Sequence, residues 1–184
     1  YDYGNSVATD ASGNVFVTGF FYGPTITFGT TTLTNTISGF DEIFIAKYDS
    51  SGTLLWAKSE GGTGLDRSYG LATDSGGNVF MMGWFNGSTI TFDTTTLTRA
   101  GGFDIFIVKY DAGGNVIWAK GAGGYGYDYG NSVATDASGN VFVIGKYGSS
   151  SISFGTTILT NQGIDDIFIA KYASNGNVLW AKGA

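Results

Sequence analysis

The chain has no cysteine and no histidine, and one proline, Pro24, among its 184 residues. Without cysteine there is no disulfide, no zinc–thiolate centre and no thiol nucleophile. Without histidine the commonest general base and the commonest metal ligand are missing. Positive charge is scarce as well. Nine Lys and Arg stand against fifteen Asp and Glu, for a net charge of −6, so no nucleic-acid partner is expected. No apolar run reaches about 18 residues, so no membrane insertion is expected. No segment carries an apolar stripe at helical spacing over a helical length. The chain opens at Tyr1 and not at Met, which predicts a processed or excised piece of something longer.

What the chain has in excess is glycine, 31 residues, together with fourteen Phe, eleven Tyr and four Trp. That mixture suits many short strands joined by tight turns. It is also repetitive. YDYGNSVATDASGNVFV occurs at 1–17 and again, letter for letter, at 127–143. ITFGTTTLT (26–34) returns as ITFDTTTLT (90–98) and ISFGTTILT (152–160). IFIAKY (43–48) returns at 105–110 as IFIVKY and at 167–172. LLWAK (54–58) becomes VIWAK (116–120) and VLWAK (178–182). The chain therefore divides into three tandem units, 1–64, 65–126 and 127–184. Unit length differs in one loop, where NTISGFDE (35–42) stands in place of RAGGFD (99–104).

Each unit reads as strands. In the first, strand a is 5–10, b is 15–21, c is 43–49 and d is 54–58, with a small hairpin at 26–28 and 31–34. Ser12-Gly13-Asn14 turns a into b, because Gly and Asn tolerate positive φ. Strands b, c and d are apolar on both faces, as Phe44 beside Ile45 and Leu55 beside Trp56 indicate, so protein is expected above and below them. The hairpin alternates, Ile26 and Phe28 inward and Thr25 and Thr27 outward, and is placed at an outer edge. A four-stranded sheet buried on both faces and repeated in tandem predicts an all-β chain of β-propeller-type blades. The rival is an open stack such as a solenoid, whose coils of 20–30 residues fit a 62-residue unit poorly.

Three spaced motifs carry a resemblance. They are D-x-x-G-N-V-F-V-x-G at Asp10–Gly19, F-G-T-T-x-L-T at Phe28–Thr34, and F-I-A-K-Y-D-x-x-G-x-x-x-W-A-K-x-x-G-G closing the stretch Asp41–Gly62. Together they resemble the bacterial beta-propeller repeat (SBBP repeat) family, over nearly the whole chain and three times in order. The resemblance implies blades of large secreted or surface-attached bacterial proteins, and hence an extracellular or cell-surface location. It brings no catalytic residues. The Gly-Asn turns, the Lys-Tyr pair and the Trp match its framework positions. Rings of this kind use about four to eight blades. Three blades are thus a partial propeller, completed by further blades of a longer chain or by self-association with neighbouring subunits.

Several side chains are candidates for chemistry. Asp10, Asp74 and Asp136 end strand a. They suit an Asx-turn better than calcium, because DASGN and DSGGN offer one carboxylate each where calcium loops alternate several. Asp41-Glu42, Asp104 and Asp165-Asp166 precede strand c and offer acid–base pairs, but recur in every unit, which favours a structural role. Trp56, Trp118 and Trp180 are expected to wedge between blades. Lys47, Lys109 and Lys171 are expected to snorkel or to pair with a neighbouring blade's Asp. The repeats diverge after strand b, where Tyr22, Trp84, Phe85 and Tyr147 stand. These are the candidate glycan- or protein-binding residues, and Tyr125, Tyr127 and Tyr129 add a second aromatic cluster. No catalytic residue and no cofactor is expected. The expected function is a non-catalytic structural or assembly module of a filament, sheath or adhesin, with a glycan- or protein-binding propeller as the alternative.

Overall fold

A computed structural model describes residues 1–37 and 39–184; Ser38, inside the 35–42 loop, lies outside the described residues. The first repeat forms β1 (Asp2–Thr9), β2 (Val15–Phe21), β3 (Thr25–Phe28), β4 (Thr31–Thr34), β5 (Glu42–Tyr48) and β6 (Leu54–Gly62). The second forms β7 (Asp66–Thr73), β8 (Val79–Phe85), β9 (Thr89–Phe92), β10 (Thr95–Thr98), β11 (Asp104–Tyr110) and β12 (Val116–Ala122). The third forms β13 (Asp128–Thr135), β14 (Val141–Tyr147), β15 (Ser151–Phe154), β16 (Thr157–Thr160), β17 (Asp166–Tyr172) and β18 (Val178–Gly183). Among the described residues there is no helix.

Each repeat is an antiparallel four-stranded meander, β1-β2-β5-β6, then β7-β8-β11-β12, then β13-β14-β17-β18, with a two-stranded hairpin inserted between its second and third strands. These are three propeller-type blades in tandem. Strand a starts earlier than its apolar letters indicate, at Asp2 rather than Asn5, because a bulge between Gly4 and Ser6 lets the Tyr-Gly segment continue the ladder. The same bulge recurs between Ser68 and Gly70 and between Gly130 and Ser132. It drives one backbone into the next. A Cβ on Gly83 would lie 2.0 Å from Arg67 O, and one on Gly145 2.0 Å from Tyr129 O, so only glycine fits opposite the bulge. Strand d of the first blade also runs longer than expected. Gly61 and Gly62, read as link, pair with Thr91 and Ile90 of the second hairpin.

The alternation of each strand sorts its side chains into two faces. One face of a blade carries Val79, Met81, Phe85, Phe106, Val108, Tyr110 and its own hairpin's Phe92. It packs on the preceding blade's Phe16, Ile43 and Ile45 in one core. The other face carries Phe80, Met82, Ile105, Ile107 and Trp118, and packs on the following blade's Val141, Val143, Tyr147, Phe168 and Tyr172 in a second core. The hairpin is fixed by a tilted aromatic pair with its own blade, Phe28–Phe44, Phe92–Phe106 and Phe154–Phe168, at 4.9–5.0 Å. It sits at the outer edge, as its alternation indicates. One expectation fails: strand d is not covered on both faces. Leu55, Ile117 and Leu179 are exposed. Each is the extra residue at the bulge between strands c and d, where the register skips it beside Lys47/Tyr48, Lys109/Tyr110 and Lys171/Tyr172.

Candidate functional site

The recurring polar residues meet where one blade touches the next. Asp10 ends β1 and folds the following turn around its carboxylate: Oδ1 accepts from Ser12 N and Asn14 N, and Oδ2 from Asn14 Nδ2 at 2.7 Å. Asp74 and Asp136 do the same with Asn78 and Asn140. Burial alone would raise the Asp10 carboxyl, but the Asn14 and Ser12 hydrogen bonds and the nearby Lys47 outweigh it, so it titrates below its ordinary value. This is turn chemistry, and it leaves these oxygens occupied by N–H donors.

Lys47 extends from β5 across its own blade. Its Nζ lies 3.8 Å from Asp10 Oδ2, above the Phe16 ring at 4.9 Å, and donates to Ala112 O of the next blade at 3.0 Å. Lys109 repeats the arrangement with Asp74, the Phe80 ring and Ser174 O. Each lysine pairs with the Asp of its own blade, and it is the neighbour's backbone carbonyl that crosses the boundary. The indole of Trp56 donates to the same carbonyl, Ala112 O, at 3.2 Å, and that of Trp118 to Ser174 O at 3.1 Å. The turn glycine beside that carbonyl lies under the indole. A Cβ on Gly114 would be 3.1 Å from Trp56, and one on Gly176 3.0 Å from Trp118. So Lys, Trp and a turn carbonyl form one clamp per boundary. Trp56 and Trp118 are inter-blade residues; Trp180 is exposed and meets no carbonyl of another blade among the described residues.

A threonine ladder joins the inner strands. Thr73 Oγ1 donates to Thr9 O, and Thr135 Oγ1 to Thr73 O, both at 2.7 Å. Of the carboxylates before strand c, only Asp41 reaches across a boundary among the described residues; the others hold loops or side chains of their own blade. Asp41 is buried and binds the Arg67 guanidinium of the second blade at 2.6 Å. Glu42, Asp104 and Asp166 each accept a loop N–H, from Thr36, Ala100 and Gln162. Asp165 pairs with Lys146. Asp66, at the start of β7, is buried; Oδ2 accepts from Gly62 N, and Oδ1 has no partner among the described residues. Burial, then the Glu42 and Asp41 charges, push its carboxyl up to about 8 against the Gly62 hydrogen bond. Asp104 and Asp128 are likewise raised, chiefly by burial.

The variable aromatics separate into three environments. Trp84 lines a groove of about 580 Å³ together with Leu65, Arg67, Tyr69, Phe103, Tyr129, Asn131 and Lys146. Its ring stacks on Phe103 at 4.6 Å and meets Tyr129 edge-on at 5.8 Å. Tyr22 is exposed and stacks on Tyr1 at 5.1 Å. Phe85 and Tyr147 do not reach the surface: both are buried on the face turned to the preceding blade. Strand alternation places them opposite Trp84 and Lys146, so adjacent letters look in opposite directions. Tyr125 and Tyr127 are exposed, whereas Tyr129 joins the groove. Arg67 and Tyr69 of the groove escaped the sequence reading. The signal was there: Tyr69-Gly70 replaces the Asn-Ser of the other two repeats.

No family model matches the chain. Over 127 residues, 62% of this chain, it is 32% identical to an uncharacterized WD repeat-containing protein of Acanthamoeba polyphaga mimivirus. The matched stretch spans 9% of that protein's length. WD repeats are four-stranded propeller blades, which agrees with the three meanders. The chain is a repeat protein of β-propeller type.

Proposed function

We propose that this chain is a non-catalytic structural and assembly module of a secreted or cell-surface bacterial protein of the SBBP-repeat kind, contributing blades to an extracellular filament, sheath or adhesin. The observation that carries the reading is the use made of the recurring polar residues. Lys47 and Trp56, and Lys109 and Trp118, are all engaged in holding one blade to the next. Residues that recur in every unit and are spent on blade contacts serve a framework. Labelling of intact and lysed source cells with an antibody to the chain tests the location. Equal labelling of intact cells is expected, and signal only after lysis removes the surface reading.

The groove at Trp84 favours a second reading, a glycan- or protein-binding propeller. Trp84 itself is 6% exposed and supports the half-buried rings of Tyr69, Phe103 and Tyr129, which are the ones a sugar face would meet. Arg67 and Lys146 are already paired with Asp41 and Asp165, so a neutral sugar fits better than an acidic one. A glycan array probed with the native chain and with Trp84→Ala and Tyr22→Ala decides it. Binding lost with Trp84→Ala supports this reading, and absent or unchanged binding ends it.

A further inference from the structure

The three repeats share a framework, and two departures from it meet at one boundary. Glu60, near the end of β6, stands where the other repeats have Ala122 and Ala184. Asp93, in the turn of the second hairpin, stands where they have Gly29 and Gly155. Those glycines have φ of +58° and +59°, and Asp93 keeps the same left-handed backbone at +49°, the one non-glycine to do so among the described residues. An unfavourable conformation kept in one repeat alone calls for a compensating contact. Asp93 has two: Oδ1 accepts from Lys58 Nζ at 2.9 Å, and Oδ2 from Val116 N at 3.0 Å. It thereby ties the tail of β6, in the first blade, to the hairpin and strand d of the second.

Glu60 lies inside this tie. It is 7% exposed, opposite Ile43 in the β5–β6 ladder. Four groups face it: Asp93 from the hairpin, Lys58 from its own strand, Glu42 from β5 and Tyr110 from β11. The Tyr110 hydroxyl is buried and has no hydrogen-bond partner among the described residues. The charges do not balance. Of the four groups only Lys58 is a cation, and it is already bonded to Asp93. Burial would raise the Asp93 carboxyl, but the Lys58 and Val116 hydrogen bonds hold it below its ordinary value. An ionised Glu60 would thus put a second carboxylate beside Asp93 with no cation of its own. Burial, then the Asp93 charge, push Glu60 up to about 7. The next two residues, Gly61 and Gly62, pair with Thr91 and Ile90 of the same hairpin, so the charge would appear at the root of that pairing.

We propose that the tail of β6 is a pH-sensitive latch between the first and second blades. With Glu60 protonated, the tail lies closed on β9. When Glu60 loses its proton, its carboxylate faces that of Asp93, and the tail is released from the hairpin while the meanders on either side stay folded. A folded value raised above the ordinary one means that closure is favoured in acid and lost as pH climbs through about 7. The second boundary lacks the device, because Ala122 and Gly155 carry no charge. The latch goes beyond the assembly role proposed above and does not depend on it.

Amide hydrogen exchange of the 184-residue chain, read on residues 60–62 and 89–92 and corrected for the intrinsic pH dependence of exchange, tests the proposal. Protection there is expected to fall at least about tenfold between about pH 5 and about pH 8, the effect of a shift of one unit or more, while Phe106, Ile107 and Val108 in β11 keep theirs. Glu60→Gln is close in shape and does not titrate, and is expected to abolish the fall. Asp93→Gly restores the residue of the other two turns and frees Lys58 for Glu60, so it is expected to move the fall to lower pH. Asp66 also titrates in this range and accepts from Gly62 N; Asp66→Asn is expected to leave the Glu60-dependent fall in place. Equal protection at the two pH values, or a fall that survives Glu60→Gln, would overturn the latch. Should Glu60→Gln not fold, the side-chain carboxyl of Glu60 in the native chain is followed by NMR: a midpoint near 7 that coincides with the fall supports the latch, and one near 4.5 ends it.

Discussion

Residues 1–17 and 127–143 are the same seventeen letters in two surroundings. In the first copy Phe16 is buried and Asn5 Nδ2 donates to Ser68 O of the second blade, yet Val7 is 64% exposed. In the second copy Val133 is 7% exposed and Asp128 is fully buried, while Asn131 and Ser132 lie open. One copy has a blade only on its trailing side, the other only on its leading side. A single propeller strand therefore has no burial of its own; the neighbour confers it. This makes the pair an internal control, since a substitution at equivalent positions changes nothing but the presence of the adjoining blade.

The largest contrast is expected for a charge placed in that strand. Val133→Asp puts a carboxylate against the second blade's core and should cost about 3–5 kcal/mol in urea unfolding, the penalty of an unpaired buried charge. Val7→Asp, measured at a dilution where copies are separate, should stay within about 0.5 kcal/mol, as exposed substitutions do. Equal losses at the two sites would mean that the blade contact contributes nothing.

A pH effect of a few kcal/mol comes next, and it belongs to the boundary rather than to the strand. Asp66 is raised to about 8 and Glu60 to about 7, burial being the main cause in both. Since their folded values lie above the ordinary ones, the fold favours the protonated forms. Their contribution to stability is full below about pH 4 and is lost as pH climbs through about 7 to 8. Asp10 and Asp74 shift the other way and lose their contribution on acidification. Unfolding midpoints in urea should therefore fall between pH 5 and pH 8.5, and Asp66→Asn should flatten that fall. A midpoint that rises with pH over this range would show that these carboxyls are ionised in the fold.

Glycine gives a smaller contrast. A Cβ on Gly130 would lie 2.7 Å from Met82 Cε and 2.8 Å from Gly83 O, whereas Gly4 has open space. Gly130→Ala should cost about 1–3 kcal/mol by overpacking. Gly4→Ala should be neutral or stabilise by up to about 1 kcal/mol, through the unfolded chain. Thermal unfolding of the two single variants checks the pair, and a Gly130→Ala chain as stable as the native one would mean that the boundary yields.

The four-strand blade and the hairpin inserted in it are legible in the letters, because a tandem sequence displays its own alignment. The side from which each residue is covered is not. Val7 and Val133 are the same letter in the same motif. Phe85 and Trp84 are adjacent aromatics after a strand, and only the register against Asp104 and Ile105 places one in the core and the other at a groove. Lysine partners were half legible: the opposite charge pointed to an aspartate, while the carbonyls of Ala112 and Ser174 have no side-chain signature. The length of strand d was hidden because Gly61 and Gly62 pair through backbone alone.

The smallest expected effect isolates a single hydrogen bond. Trp118 Nε1 donates to Ser174 O at 3.1 Å, and among the described residues Trp180 makes no such bond. Trp118→Phe keeps most of the ring and removes the donor, so it should cost about 1 kcal/mol, the net worth of one hydrogen bond plus a little packing. Trp180→Phe in separate copies should cost close to nothing. Chemical denaturation of both variants measures the difference. Equal losses at the two positions would show that the Trp118–Ser174 bond contributes nothing.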